Sequence, residues 1–189
     1  MIPLLVILLV VVALPAVYAL AQYNALIALR NYIRESWSDV DVELKRRYDL
    51  IPNLVAAVKG YAAHERGVLE RVAELRNRCA ANNGPVVDQS RDEVQLVDAL
   101  KQLLVVVEHY PQLKADRNFL QLQTELVNTE DRIQAARRFY NGNIRDYRNK
   151  CESFPGNLVA HLFGFKAEGD FFSVPPSVRE VPDVDFAGS

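Results

Sequence analysis

Residues 2–21, IPLLVILLVVVALPAVYALA, carry no charge, and this run limits what the chain can fold into more than any other feature. A helix rises about 1.5 Å per residue and the hydrocarbon core of a bilayer is about 30 Å thick, so the run has the length of one membrane crossing. Pro3 falls in the first turn, where its missing N–H is no loss. Pro15 is tolerable inside a membrane helix, although it should kink it. Tyr18 and Tyr23 stand where an interfacial aromatic belt belongs. The rival reading is a cleaved signal peptide, because Ala19-Leu20-Ala21 has the small-x-small form. A signal peptide has a basic n-region and an apolar core of about 7–15 residues; here nothing charged precedes the run and the run is longer. The anchor reading is preferred, with membrane lipid as the partner of residues 2–21.

Basic residues near the run set its orientation. Arg30 and Arg34, then Lys45, Arg46 and Arg47, all follow it, and upstream there is only the α-amino group. The positive-inside rule then predicts a single-pass protein with its N-terminus outside and the rest of the chain in the cytoplasm. Lys and Arg total 22 against 24 Asp and Glu, a net charge of -2, which argues against a nucleic-acid partner because phosphate contacts need a basic surplus.

Beyond the anchor the apolar residues repeat at helical spacing. Leu26, Ile33, Trp37, Val40 and Leu44 continue the first helix, predicted over residues 4–50 and ended by Pro52. Leu54, Val58, Tyr61, Glu65, Val68, Val72, Leu75 and Cys79 form a second seam, stopped by Asn82-Asn83-Gly84-Pro85. A third helix is expected over about 91–109, with Val94, Val97, Leu100, Leu104 and Val107 on one face. A fourth, reaching residue 150, has the stripe Phe119, Leu122, Leu126, Thr129, Ile133, Ala136, Tyr140, Ile144 and Tyr147. A brief helix over 158–163 precedes a proline-rich end without period. Short links between long amphipathic helices predict antiparallel neighbours. The fold class is therefore all-α: an N-terminal transmembrane helix continuous with an antiparallel bundle of about four long helices, then an extended tail.

Chemistry is sparse. His64-Glu65 opens like a zinc-protease motif, but Val68 stands where the second histidine is needed. There is no phosphate-binding glycine loop and no serine nucleophile elbow, no Glu-x-x-His pair for a di-iron site, and no cofactor is expected. The polar residues on or near the seams, Arg30, Arg47, Glu65, Glu130, Asp131 and Arg132, are expected either as seam-edge charges or as a structural polar network that fixes helix register. Phe163, Phe165, Phe171, Phe172 and Phe186 are many aromatics for a free tail, so the tail is expected to pack on the bundle or to dock on a partner. Cys79 and Cys151 match no zinc spacing; if the ends of helices two and four share a pole, the two thiols would approach each other.

A resemblance rests on several of these stretches. Residues 23–31 (YNALIALRN) and 37–42 (WSDVDV) are similar to the opening of the LemA family, and residues 44–55 (LKRRYDLIPNLV) resemble its most distinctive motif. Residues 58–65 (VKGYAAHE), 110–115 (YPQLKA), 125–138, Phe154-Pro155 and Phe163-Gly164-Phe165 continue the likeness. The resemblance implies one N-terminal membrane helix and a cytoplasmic antiparallel bundle, and one branch of the family is associated with magnetosome membranes. It brings no catalytic residues, since the family defines none. The organisation expected is an anchor over 1–22, a LemA-like bundle over 23–163 and an extended Phe- and Pro-containing tail over 164–189. The function expected is a non-enzymatic membrane scaffold or adaptor that forms homo-oligomers. A regulatory partner that docks on another membrane protein, a protease or transporter, through the tail is the alternative, and an enzyme built on Arg47, Glu65 and Glu130 is the least favoured reading.

Overall fold

The computed structural model describes residues 2–62, 64–167 and 169–172. Its helices are α1 (Ile2–Tyr61), α2 (Arg66–Ala81), α3 (Val86–Val107), α4 (Pro111–Lys114), α5 (Arg117–Glu152) and α6 (Gly156–Leu162). No strand occurs among the described residues, so the chain is all-α. Contacts divide it into two units. Of the described residues, the first unit holds 2–41 and 134–170, and the second holds 42–133 and 171–172, so α1 and α5 each contribute to both.

The second unit is a helical bundle whose cross-links fix its directions. Near one level, Arg76 of α2 reaches Tyr48 and Asp49 of α1, Glu93 of α3 meets Arg47 and Tyr48, and Glu130 of α5 meets Arg47. Arg78 of α2 and Asn82, just beyond its end, meet Asp92 of α3 across the turn between the two helices. From that level α1 and α3 run forward into the core while α2 and α5 arrive from it, so neighbours in sequence are antiparallel. The interior is filled by Ile51, Leu54 and Val58 of α1, Leu69, Val72 and Leu75 of α2, Leu96, Leu100 and Leu103 of α3, Leu113 of α4, and Phe119 and Leu126 of α5. Each such side chain, when fully buried, contributes roughly 1.5–3 kcal/mol relative to exposure.

The first unit pairs α1 with the far half of α5. Leu26 packs with Tyr147 and Cys151, and Val159 and Ala160 of α6 complete that cluster. Trp37 lies against Tyr140 with ring centroids 5.2 Å apart. Asn143 donates to the Tyr32 carbonyl at 3.2 Å and to Ser36 Oγ at 3.1 Å, while Ser36 donates back to Tyr32 at 2.7 Å. The buried hydroxyl of Ser36 is thereby satisfied, as buried polar groups must be. Residues 2–18 are all exposed; none of the described residues buries this apolar start of α1, which is long and apolar enough to cross a membrane.

Three expectations need correction. The first helix does not stop before Pro52 but runs on to Tyr61. A proline inside a helix leaves the carbonyl four residues earlier without its N–H donor; that carbonyl belongs to Tyr48, and Arg76 Nε donates to it at 2.9 Å. With the orphan satisfied and Ile51, Leu54 and Val58 buried on both sides of it, Pro52 is held within α1. The break falls instead between Tyr61 and Arg66, beside Gly60. The third helix starts at Val86, immediately after the turn-forming Gly84-Pro85, and not near residue 91. Its buried face is Glu93, Leu96, Leu100, Leu103 and Val107, one position earlier than the predicted stripe along most of its length.

Candidate functional site

Two groups of side chains stand out, one in each unit. In the second, Arg47 is 1 % exposed and pairs with Glu93, whose side chain is 5 % exposed, and with Glu130 at 2.7 Å. The Tyr48 hydroxyl also donates to Glu93. Three helical turns, from α1, α3 and α5, meet here because each presents a long polar side chain at the inner edge of an apolar seam: Arg47 is three residues after Leu44, and Glu93 three before Leu96. Taking a guanidinium out of water is tolerated only when ionised partners and hydrogen bonds replace the water. The neighbouring Cys79 thiol is pushed up to about 11 by burial, with Arg47 working in the opposite direction. At such a value the thiol stays protonated at neutral pH and is a poor nucleophile. The arrangement leaves Arg47 no access to an outside reactant, so its work is structural.

In the first unit two hollows occur. One is an apolar cleft of about 480 Å³ lined by Pro15, Tyr18 and Ala19 of α1 and by Pro155, Leu158, Val159 and Leu162. The other is a cavity of about 570 Å³ in which Arg30, Arg34 and Lys166 stand among Tyr23, Ile27, Tyr147 and Phe165. Tyr23 meets Phe163 edge-on at 4.9 Å and Phe165 at 5.5 Å, and the Arg30 guanidinium lies 5.7 Å from the centre of the Phe165 ring. A cation over an aromatic face is attracted by the ring's negative π surface. Gly169 closes the cavity wall at φ 138°, and a Cβ there would come within 2.6 Å of Ile144, so both backbone and space call for glycine. The segment is tied down by Arg148 donating to the Gly169 carbonyl and by Tyr140 donating to the Asp170 carbonyl at 3.2 Å. Burial, and then the Asp170 charge, push the Tyr140 phenol above its ordinary value.

Of the residues singled out in the sequence for a polar network, the structure brings together Arg47 and Glu130. Glu65 stands at the start of α2, on the break rather than on a seam. Asp131 and Arg132 are exposed on α5, because they fall between the buried positions Thr129 and Ile133 and turn to the opposite side of the helix. Arg30 is exposed and belongs to the first unit, at Phe165. Sequence reasoning missed Glu93 and Tyr48. The signal for Glu93 was present, since 93, 96, 100, 103 and 107 keep the alternating spacing of a seam, but a charged residue at its head hid the register. Among the phenylalanines expected to dock, Phe163 is half exposed and Phe165 partly buried, both against Tyr23; Phe171 is partly exposed and Phe172 is buried. Phe186 lies outside the described residues. Cys79 and Cys151 are free thiols in different units. No group of three or more His, Cys, Asp or Glu residues that could hold a metal ion occurs among the described residues.

Known proteins share this pattern. The model of the LemA family matches residues 36–186. Magnetosome protein MamQ 2 of Paramagnetospirillum magneticum is 25% identical over 183 residues, covering 84% of this chain and 67% of its own length. Magnetosome protein MamQ of Magnetospirillum gryphiswaldense is 24% identical over 181 residues, covering 82% and 66%. Protein LemA of Metamycoplasma hominis is 30% identical over 139 residues, covering 72% of this chain and 63% of its own. The chain thus spans about two thirds of the length of these relatives.

Proposed function

The chain belongs to the LemA family, and from that premise we propose that it is a non-enzymatic scaffold or adaptor, anchored by residues 2–21 and self-associating at the membrane. The observation that carries this reading is the exposed apolar start of α1, continuous with a helix that goes on to build both units. Large side chains such as Leu4, Leu9 and Leu14 stand 75 %, 68 % and 65 % exposed, and an apolar surface of that extent is stable only against lipid or another apolar surface. The buried Arg47 cluster supports a structural part rather than a catalytic one, because no reactant reaches it. Two of the relatives are named for a structure, the magnetosome, and none of those compared carries an enzyme's name. The basic residues Arg30, Arg34 and Lys45 to Arg47 favour an N-terminus outside and both units in the cytoplasm.

The test is the mass of the full-length protein in detergent beside that of a chain starting at Tyr23. A discrete oligomer that becomes a monomer on removal of the anchor is the expected result. If both are monomers, self-association is wrong, and the alternative in which the protein docks on another membrane protein, a protease or transporter, through residues 164–189 takes its place. Protease protection in sealed vesicles checks the orientation: digestion of both units from the outside of right-side-out vesicles would reverse it.

A further inference from the structure

The two hollows of the first unit follow one another along a single face of α1. Pro15 and Ala19 line the apolar cleft, and Tyr23, Ile27, Arg30 and Arg34 line the cationic cavity; steps of four and three residues keep all of them on one stripe. The opposite walls come in the same order, first Leu158 and Leu162 of α6, then Phe165 and Lys166. Tyr23, edge-on to Phe163, lines the cavity one turn of α1 beyond Ala19 of the cleft.

On the spanning reading proposed above, on which this inference rests, the cleft lies about 3–9 Å inside the end of the apolar run at Ala21, the depth at which interfacial helices settle. Arg30 starts about 13 Å beyond that end, but side chains on a helix tilt toward its N-terminus, so its guanidinium points back toward the headgroups. α6 fits the same placement. Phe154, Leu158 and Leu162 are 79 %, 61 % and 74 % exposed, and residues 153–165 contain no Asp, Glu, Lys or Arg. In water this ridge would be an unprotected apolar patch; beside the anchor it continues the anchor's own surface. Higher up the charge is positive. Among the described residues no Asp or Glu lines the cavity, and neither Arg30 nor Arg34 makes an ion pair. A phospholipid presents the same sequence of surfaces, an acyl chain below and a phosphate above.

We propose that this face of the first unit is a binding site for one anionic phospholipid of the surrounding leaflet. Its acyl chain occupies the cleft between α1 and α6, and its phosphate lies against Arg30, Arg34 and Lys166. Tyr23 packs at the glycerol level between them.

The experiment uses the full-length protein, reconstituted in phosphatidylcholine vesicles with and without phosphatidylglycerol, re-extracted, and assayed for retained lipid. Phosphatidylglycerol is expected to be enriched over phosphatidylcholine. Arg30→Gln/Arg34→Gln should lower the retained phosphatidylglycerol about tenfold or more and leave phosphatidylcholine unchanged, since each cation at an anionic surface contributes on this scale. Arg30→Lys/Arg34→Lys, which keeps the charge, should retain it, and Leu158→Ser should weaken both lipids. Equal retention by the Gln variant overturns the proposal. So does displacement of the lipid by millimolar inorganic phosphate, which would make the cavity a free-anion site. Alkaline carbonate washing separates the two readings. Wild type that stays in the vesicles but shows no enrichment defeats only the lipid site, whereas wild type that washes off defeats the anchor as well.

Discussion

Residues 2–21 and residues 42–61 lie on the same helix, and they are stabilised by opposite means. In the first stretch the large apolar side chains are exposed, and they surround the helix without leaving a polar face. In the second, Leu44, Arg47, Ile51, Leu54 and Val58 are buried at spacings of three and four, and residues between them such as Lys45, Arg46 and Asn53 face out. Backbone hydrogen bonding is alike in both, so the difference is one of solvent. The first stretch needs an apolar surrounding that the described residues do not supply; the second finds it in α2, α3 and α5. The second stretch also contains Pro52, whose ring leaves the Tyr48 carbonyl without its helical donor. For Pro52 the Arg76 side chain supplies a donor, which an aqueous bundle can do with a charged group.

The largest effect that would break this contrast is at Arg47. Arg47→Ala leaves Glu93 buried with its main cationic partner gone, and removing one member of a buried pair destabilises by about 3–5 kcal/mol. Chemical denaturation followed by circular dichroism should show the loss, and a cost below about 1 kcal/mol would mean that the cluster does not hold the bundle in register. Next in size is Leu9→Arg, in the uncovered stretch. A cation at the middle of a membrane helix disfavours insertion by about 2.5–3.5 kcal/mol. The folded units should keep their helicity while the membrane-bound fraction falls. If the variant partitions into vesicles as wild type does, residues 2–21 are not spanning lipid.

How much of this contrast was legible beforehand depended on the kind of residue. Uniform stretches and clear seams could be read directly: the long apolar start of α1, and the α5 stripe of Phe119, Leu126, Thr129, Ile133, Tyr140, Ile144 and Tyr147, all buried. Thr129 fits there because its hydroxyl bonds the Glu125 carbonyl at 2.7 Å, so a polar residue does not interrupt the seam. The α3 register was not legible. In LVDALKQLLVVV several faces are apolar, and the choice among them is made by Glu93 reaching Arg47, a partner far away in sequence. Pro52 misled for the same reason, since the donor that keeps the helix intact comes from α2. The two hollows lie beyond periodicity altogether: they depend on where α6, residues 163–166 and Gly169 lie against α1.

A middle-sized test concerns that donor. Arg76→Ala removes the side chain that bonds the Tyr48 carbonyl, together with its long ion pair to Asp49 at 3.9 Å. An unsatisfied, partly buried acceptor costs about 1–3 kcal/mol, and the exposed pair adds little. Amide hydrogen exchange around residues 48–56 should speed up in the variant. The companion change Pro52→Ala restores an N–H to the same carbonyl, so combined with Arg76→Ala it should recover much of the loss. Additive losses in the double variant would show that Arg76 acts through something other than the proline's orphan.

The smallest effect is expected on the surface of α2, at Arg71 and Glu74. Their 3.1 Å ion pair joins side chains 47 % and 63 % exposed on the same helix, where water screens the attraction and two long side chains lose freedom to keep it. Arg71→Ala should change the unfolding free energy by no more than about 0.5 kcal/mol. The chemistry matches that of the Arg47 cluster, a guanidinium and a carboxylate, so the pair isolates burial as the variable. An Arg71→Ala cost approaching that of Arg76→Ala would place a substantial part of the bundle's stability in its exposed charges. The distinction drawn along α1, between stretches that bury their side chains and stretches that do not, would then no longer locate what holds the second unit together.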